Sequence, residues 1–112
     1  MKLEPNDVLK LWRSVMVTAL RNDLPDLTAR QFALLLQVYT TPQPHTVRGI
    51  AKELNMSKPA VTRALDRLEK LDLLRRRVDE SDRRSILVQR SIVGSVFLRD
   101  FADMASKQAL EL

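Results

Sequence analysis

Apolar residues recur at helical spacing along most of this chain, and the period shortens to two only once, after Asp72. Val8, Leu11, Trp12, Val15, Ala19 and Leu20 form a helical stripe over residues 5–22, widened by Leu9, Met16 and Val17. Pro5 suits the first turn of that helix and Asp7 the positive end of its dipole. Asn22-Asp23-Leu24-Pro25-Asp26 breaks it. Thr28 and Gln31 then have the spacing of a capping box, and Leu27 and Phe32 that of a hydrophobic staple. They open a helix carrying Ala33, Leu34, Leu35, Leu36, Val38 and Tyr39, which Thr41-Pro42-Gln43-Pro44 ends. Thr46 caps a short helix over about 47–54, with Val47, Ile50, Ala51 and Leu54 inward. Asn55-Met56 makes a tight turn, and Ser57 caps the next helix, whose first turn tolerates Pro59. Val61, Ala64, Leu65, Leu68 and Leu71 face inward; Ser57, Lys58, Pro59, Thr62, Arg63, Asp66, Arg67 and Lys70 face out.

Beyond Asp72 the alternation predicts two strands, 74–78 and 85–89, joined by the polar loop Asp79-Glu80-Ser81-Asp82-Arg83-Arg84. Ser91 caps a last helix carrying Ile92, Val93, Val96, Phe97, Phe101, Met104 and Ala105. The expected class is mainly α with one β-hairpin (α+β), a single domain over 1–112. Its order of helix, tight turn, helix and β-hairpin is the winged helix-turn-helix arrangement. The stripes of the two terminal helices, 5–22 and 91–112, are wider than one face against a small core requires. Either they pack deeply within one chain or they are shared with another subunit.

The 112 residues carry 19 Lys+Arg against 14 Asp+Glu, a formal charge of +5. The interval from Arg48 to Arg90 holds 12 of the basic and 7 of the acidic residues, so the whole surplus lies there. A basic middle between neutral flanks suits a polyanionic partner. There is no Cys, which excludes a disulfide scaffold, a zinc finger and thiol redox sensing. A lone His excludes a multi-His metal site, and neither metal nor cofactor is expected. His45 sits between Pro44 and Thr46, read as a surface loop with no nucleophile or base around it, so no enzyme is expected. Trp12 and Tyr39 read as core or interface residues. No apolar run approaches the ~20 residues of a membrane span. Met1-Lys2-Leu3-Glu4-Pro5 lacks the apolar stretch of a signal peptide, so a cytoplasmic, nucleoid-associated protein is expected.

A helix enters the major groove when its leading face is small and polar and its rear face apolar, which is the division seen from Ser57 to Lys70. Ser57, Lys58 and Thr62 suit phosphate contacts at a helix N-terminus, and Arg63 can read guanine bidentately. A short two-stranded arm can place Arg83 or Arg84 in a narrow minor groove. Asp82 beside them then shapes the loop by accepting hydrogen bonds. The candidate DNA-binding set is Ser57, Lys58, Pro59, Thr62, Arg63, Arg67, Arg83 and Arg84. The candidate dimer set is Val8, Leu11, Trp12 and Val15 with Val93, Val96, Phe97 and Phe101. The competing reading is a winged-helix adaptor or anti-activator that docks a protein through its apolar terminal helices.

Several segments in order resemble the MarR family of bacterial regulators. Leu27-Thr28-Ala29-Arg30-Gln31-Phe32 resembles the start of its second helix. Thr46-Val47-Arg48-Gly49-Ile50-Ala51-Lys52-Glu53-Leu54 is similar to the first helix of its helix-turn-helix. Ser57 through Glu69 resembles its recognition helix, and Asp82-Arg83-Arg84 its wing signature. The likeness spans about 27–89. It implies a homodimeric regulator, often a repressor, on a pseudo-palindromic operator of double-stranded DNA. It also implies base reading by the helix at Ser57, minor-groove contact by Arg84 or Arg83, and dimerisation through the N- and C-terminal helices. Three departures stand out. Asp72 replaces the usual Gly after the recognition helix, and Gln89-Arg90-Ser91-Ile92 replaces the usual opening of the next one. The chain also stops at Leu112, where the family has a further helix, so a smaller or differently completed dimer interface is expected. The sequence identifies no small-molecule effector.

Overall fold

Each helix begins where a hydroxyl side chain can hold the first free amides, Pro5 excepted. The computed structural model describes residues 3–112. Helix α1 (Pro5–Arg21) starts with its proline in the first turn. Thr28 opens α2 (Ala29–Thr40) through a complete capping box. Its Oγ1 accepts from Gln31 N at 3.1 Å, and Gln31 Oε1 accepts from Thr28 N at 3.0 Å. Thr46 Oγ1 accepts from Gly49 N at 2.9 Å and starts α3 (Val47–Glu53); Ser57 Oγ accepts from Ala60 N at 3.2 Å and starts α4 (Lys58–Lys70). Ser91 Oγ accepts from Gly94 N at 2.9 Å at the head of α5 (Ile92–Leu110). Each such cap contributes about 1 kcal/mol.

Three of the helices end alike, without glycine. Asp23 (φ 56°), Asn55 (φ 52°) and Asp72 (φ 59°) take the left-handed conformation just beyond α1, α3 and α4. The next amide in each case reaches back five residues: Leu24 to Ala19 O (3.2 Å), Met56 to Ala51 O (2.9 Å), Leu73 to Leu68 O (2.9 Å). This is the Schellman closure, and short polar Asx side chains tolerate it better than other L-residues. Asp72 therefore performs the exit that a glycine would perform.

The sheet differs from the sequence expectation in two ways. Strands β2 (Leu74–Asp79) and β3 (Asp82–Arg90) pair antiparallel up to Asp79↔Asp82, with a register shift between Val78 and Asp79. The connection is therefore Glu80-Ser81 rather than a six-residue loop, and Arg83 and Arg84 stand in a strand. Asp79 forms the turn itself, its Oδ1 accepting from Ser81 N (3.0 Å) and Ser81 Oγ (2.7 Å). The second difference is β1 (His45–Thr46), which pairs with the other edge of β3 through His45↔Val88 and Thr46↔Leu87. His45 is buried there, not a surface loop residue. Its Nε2 lies 3.2 Å from Thr41 O and 3.3 Å from Thr41 Oγ1. Thr41 Oγ1 donates its own proton to Gln37 O. Both neighbours of Nε2 are thus acceptors, and Nε2 carries the proton.

By its internal contacts the chain forms two compact units, Leu27–Phe97 and Met1–Asp26 with Leu98–Leu112. The first holds the core: Leu34, Leu35 and Val38 of α2, Ile50 of α3, Val61, Leu65 and Leu68 of α4, with Leu74 and Val88 of the sheet. Each such side chain contributes about 1.5–3 kcal/mol on leaving water. A polar knot closes this unit beside the core. Tyr39 Oη donates to Leu73 O (2.7 Å) and accepts from Ser91 N (2.9 Å), while Ser91 Oγ donates to Asp72 O (2.7 Å). A Cβ on Gly94 would overlap Tyr39 Oη and the Leu73 carbonyl oxygen, so only glycine lets α5 start this close. Arg90 closes the C-terminal end of α2. Its Nε donates to Val38 O (2.9 Å) and its Nη2 to Thr41 O (3.1 Å), with the guanidinium 5.7 Å from the Tyr39 ring. In the second unit no residue of α1 is buried; Leu9, Trp12, Met16 and Leu20 are between 57% and 69% exposed.

Candidate nucleic-acid interface

Helix α4 is split by its own periodicity into a buried and a solvent face. Val61, Ala64, Leu65 and Leu68 enter the core; Ser57, Lys58, Pro59, Thr62, Arg63, Asp66, Arg67 and Lys70 are all exposed. That is the division read from the sequence. Its N-terminus is open to solvent, and the first-turn amides not used by Ser57 form an anion-seeking end. Lys58, Arg63 and Arg67 make no ion pair among the described residues.

Beside that helix end lies an open cleft of about 360 Å³. Thr46, Val47 and Arg48 line it from the start of α3, Lys58 and Thr62 from α4, and Asp82, Arg84, Ser85 and Ile86 from β3. Three cations, three hydroxyls and one carboxylate make this wall suited to an anion. Arg48 belongs to it although the sequence reading left it out of the site. The available signal was its place in the first turn of α3, within the basic interval.

The hairpin presents its two arginines differently. Arg84 reaches the cleft, and its ion pair among the described residues is with Asp82, whose Oδ1 lies 3.5 Å from Nε and accepts from Arg84 N at 3.2 Å. Asp82 thus shapes the hairpin locally, as read from the sequence. Arg83 lies 3.8 Å from Glu80 Oε2. With side chains this exposed, such pairs hold by less than about 1 kcal/mol and yield readily to a phosphate.

Arg76 is bound far more firmly. Its Nη2 lies 2.6 Å from Asp66 Oδ1 and its Nε 3.1 Å from Glu69 Oε1; its backbone N–H donates to Glu69 Oε1 at 3.0 Å. Burial opposes the guanidinium charge, but the bonds to Asp66 and Glu69 outweigh it and raise the Arg76 pKa above its ordinary value.

The terminal-helix candidates divide by exposure. Trp12, Val8, Val93 and Val96 are exposed; Leu11, Val15, Phe97 and Phe101 are half-buried. Leu9 and Met16, read only as widening the stripe, share one exposed face of α1 with Trp12 and Leu20 of the stripe itself. Among the described residues no group of His, Asp and Glu is placed to hold a metal ion. No helix among them is long and apolar enough to cross a membrane.

A model of the MarR family matches residues 26–85. A transcriptional regulator of Thermotoga maritima superposes with a TM-score of 0.73 at 22% identity, over 89% of this chain and 68% of that one. The S. aureus MepR–DNA complex gives 0.74 at 24% identity, over 89% and 79%. A mutant MarR of E. coli gives 0.72 at 21% identity, over 99% and 83%. At these identities the likeness is one of fold.

Proposed function

Since the chain belongs to the MarR family, we propose that it is a transcriptional regulator that binds double-stranded DNA sequence-specifically, as a homodimer on a pseudo-palindromic operator. The observation that carries this reading is the exposed face of α4, standing beside a cleft walled by Arg48, Lys58 and Arg84. In it α4 lies in the major groove, where Arg63 reads a base edge and Ser57, Lys58, Pro59, Thr62 and Arg67 pack on the strand. One bidentate arginine–guanine contact discriminates by about 1–3 kcal/mol. Arg48 and Lys58 take backbone phosphate, and Arg84, with Arg83 beside it, reaches the adjacent minor groove. That the MepR structure of this fold is a DNA complex supports the same partner here.

The second copy is inferred from α1 and α5. Leu9, Trp12, Met16 and Leu20 form an exposed apolar face of α1, and Val93 and Val96 are exposed on α5; apolar surface grouped in this way suits an interaction site. In the dimer two copies of α4 stand about 34 Å apart, the spacing of successive major grooves. The cytoplasm, where chromosomal DNA lies, is the proposed place of action.

The test is selection of bound duplexes from genomic fragments, followed by affinity across a salt series. A palindromic consensus and a steep fall of affinity with salt are expected. Arg63→Ala combined with Arg84→Ala should abolish selection while sedimentation still reports a dimer, and Trp12→Asp should break the dimer. A consensus-free pool with a flat salt response would sink the reading. If only Trp12→Asp disturbed a captured partner, a protein-docking module would replace it.

A further inference from the structure

The winged helix needs two readers, α4 and the hairpin, to meet one DNA at a set distance. Covalently they are joined through Leu71-Asp72-Leu73, and the hairpin projects beyond that joint. Arg76 spans the same gap by a different route. It sits in β2 opposite Val88, a core residue, so its backbone belongs to the rigid root of the hairpin. Its side chain, only 26% exposed, lies across α4 and holds Asp66 and Glu69, which stand three residues apart on one face. Glu69 Oε1 is used twice, by Nε and by the Arg76 backbone amide. Three bonds of 2.6, 3.0 and 3.1 Å therefore tie strand to helix in both position and rotation. Asp66 follows Thr62 and Arg63 by one turn of the face proposed to read DNA.

We propose that Arg76 is a positioning residue for operator binding: its fork on Asp66 and Glu69 fixes the hairpin against α4, so that Arg63 and Arg84 engage one DNA molecule together. This rests on the DNA-binding reading above. A planar guanidinium is needed, because Lys offers one point charge and cannot hold both acids with the same geometry.

Charge and position make opposite forecasts for the acids. Asp66→Asn with Glu69→Gln removes two negative charges near the DNA face, so electrostatics alone tightens binding to every duplex. Under the positioning role the same variant weakens binding to the operator. The experiment measures Kd for the selected operator and for a random duplex of equal length. It uses wild type, Arg76→Lys, Asp66→Asn/Glu69→Gln, and each of these combined with Arg84→Ala. Wild type selecting no sequence removes the DNA-binding reading and this proposal with it. Given a selected operator, Arg76→Lys and the acid double variant are each expected to lose about 10-fold on the operator, the worth of one good contact. Random-duplex affinity should hold or rise. Arg84→Ala should then add little, since the wing is already out of register. Operator affinity that is unchanged or tighter in the acid double variant overturns the proposal. So does an undiminished Arg84→Ala effect in either background. Should Arg76→Lys fold poorly in a thermal scan, the acid double variant decides alone.

Discussion

Removing a single oxygen from Tyr39 tests whether the knot beside the core stabilises the fold through hydrogen bonds or merely through packing. Tyr39→Phe keeps the ring and its place against Arg90. It deletes the hydroxyl that donates to Leu73 O at 2.7 Å and accepts from Ser91 N at 2.9 Å. Leu73 is 2% exposed and Ser91 8%, so water does not readily replace the lost partner. Two buried main-chain groups are left unpaired, each costing about 1–1.5 kcal/mol, or roughly 2–3 kcal/mol together. That is a large share of the about 5–15 kcal/mol of an ordinary domain. With a urea slope of about 2 kcal/mol/M, the unfolding midpoint should fall by about 1 M at unchanged slope. Circular dichroism at two protein concentrations separates this from any shift in association. A loss under about 0.5 kcal/mol would refute the reasoning, since the hydroxyl would then be an accessory of a site held by shape.

Asn55 stands at φ 52°, so Asn55→Gly should raise the thermal midpoint by the equivalent of about 0.5 kcal/mol, and Asn55→Ala should lower it by about 1 kcal/mol. A loss in the glycine variant would show that the Asn side chain contributes more than its backbone strain costs. At the hairpin turn, the bonds from Ser81 Oγ and Ser81 N lower the Asp79 pKa below the ordinary aspartate value of about 3.9. A depressed folded-state pKa means order present above the unfolded value and lost as pH falls through the folded one. Amide exchange at Ser81, corrected for its intrinsic pH dependence, should therefore gain speed below about pH 4. Asp79→Asn should remove that acceleration, and a pH-independent protection factor in the wild type would contradict it.

Local chemistry was legible in the sequence; pairing between distant backbones was not. Thr28, Thr46, Ser57 and Ser91 cap as read, because a cap needs only its own residue and an amide three positions on. The two faces of α4 were legible because a 3.6-residue period assigns each position. Strand β1 was not, since two residues have no period and exist as a strand only by pairing with Val88 and Leu87. His45 was misread for the same reason: its burial comes from that pairing and from Thr41. The hairpin was read with too long a loop because six polar residues look like a turn, while ladder bonds are indifferent to side-chain polarity. On α1, apolar residues on both sides of the stripe left its exposed face undecided; Leu9, Trp12, Met16 and Leu20 occupy it.

The formal charge of +5 hides how the individual cations are used. Arg75-Arg76-Arg77 reads as three equivalent positive charges on a strand, yet each has a different environment. Arg75 lies 3.6 Å from Asp72 at the exit of α4; Arg76 is held by Asp66 and Glu69; Arg77 makes no ion pair among the described residues. Arg90 is likewise occupied, by the carbonyl oxygens of Val38 and Thr41. Releasing Arg76 or Arg90 to a phosphate would strand acceptors that are already satisfied, and that opposes the exchange. Arg83 and Arg84 face the reverse situation, since their pairs at 3.8 and 3.5 Å lie in solvent. The cations able to meet a polyanion therefore include those of the cleft and the outward face of α4, with the two of the hairpin. The acids of the same interval, Glu53 and Asp79 apart, are each paired with a neighbouring arginine. Pairing leaves the net charge as it was but confines the field of these acids to their partners, so the surplus is carried by cations with no ion pair among the described residues, Arg48, Lys58, Arg63 and Arg67 included.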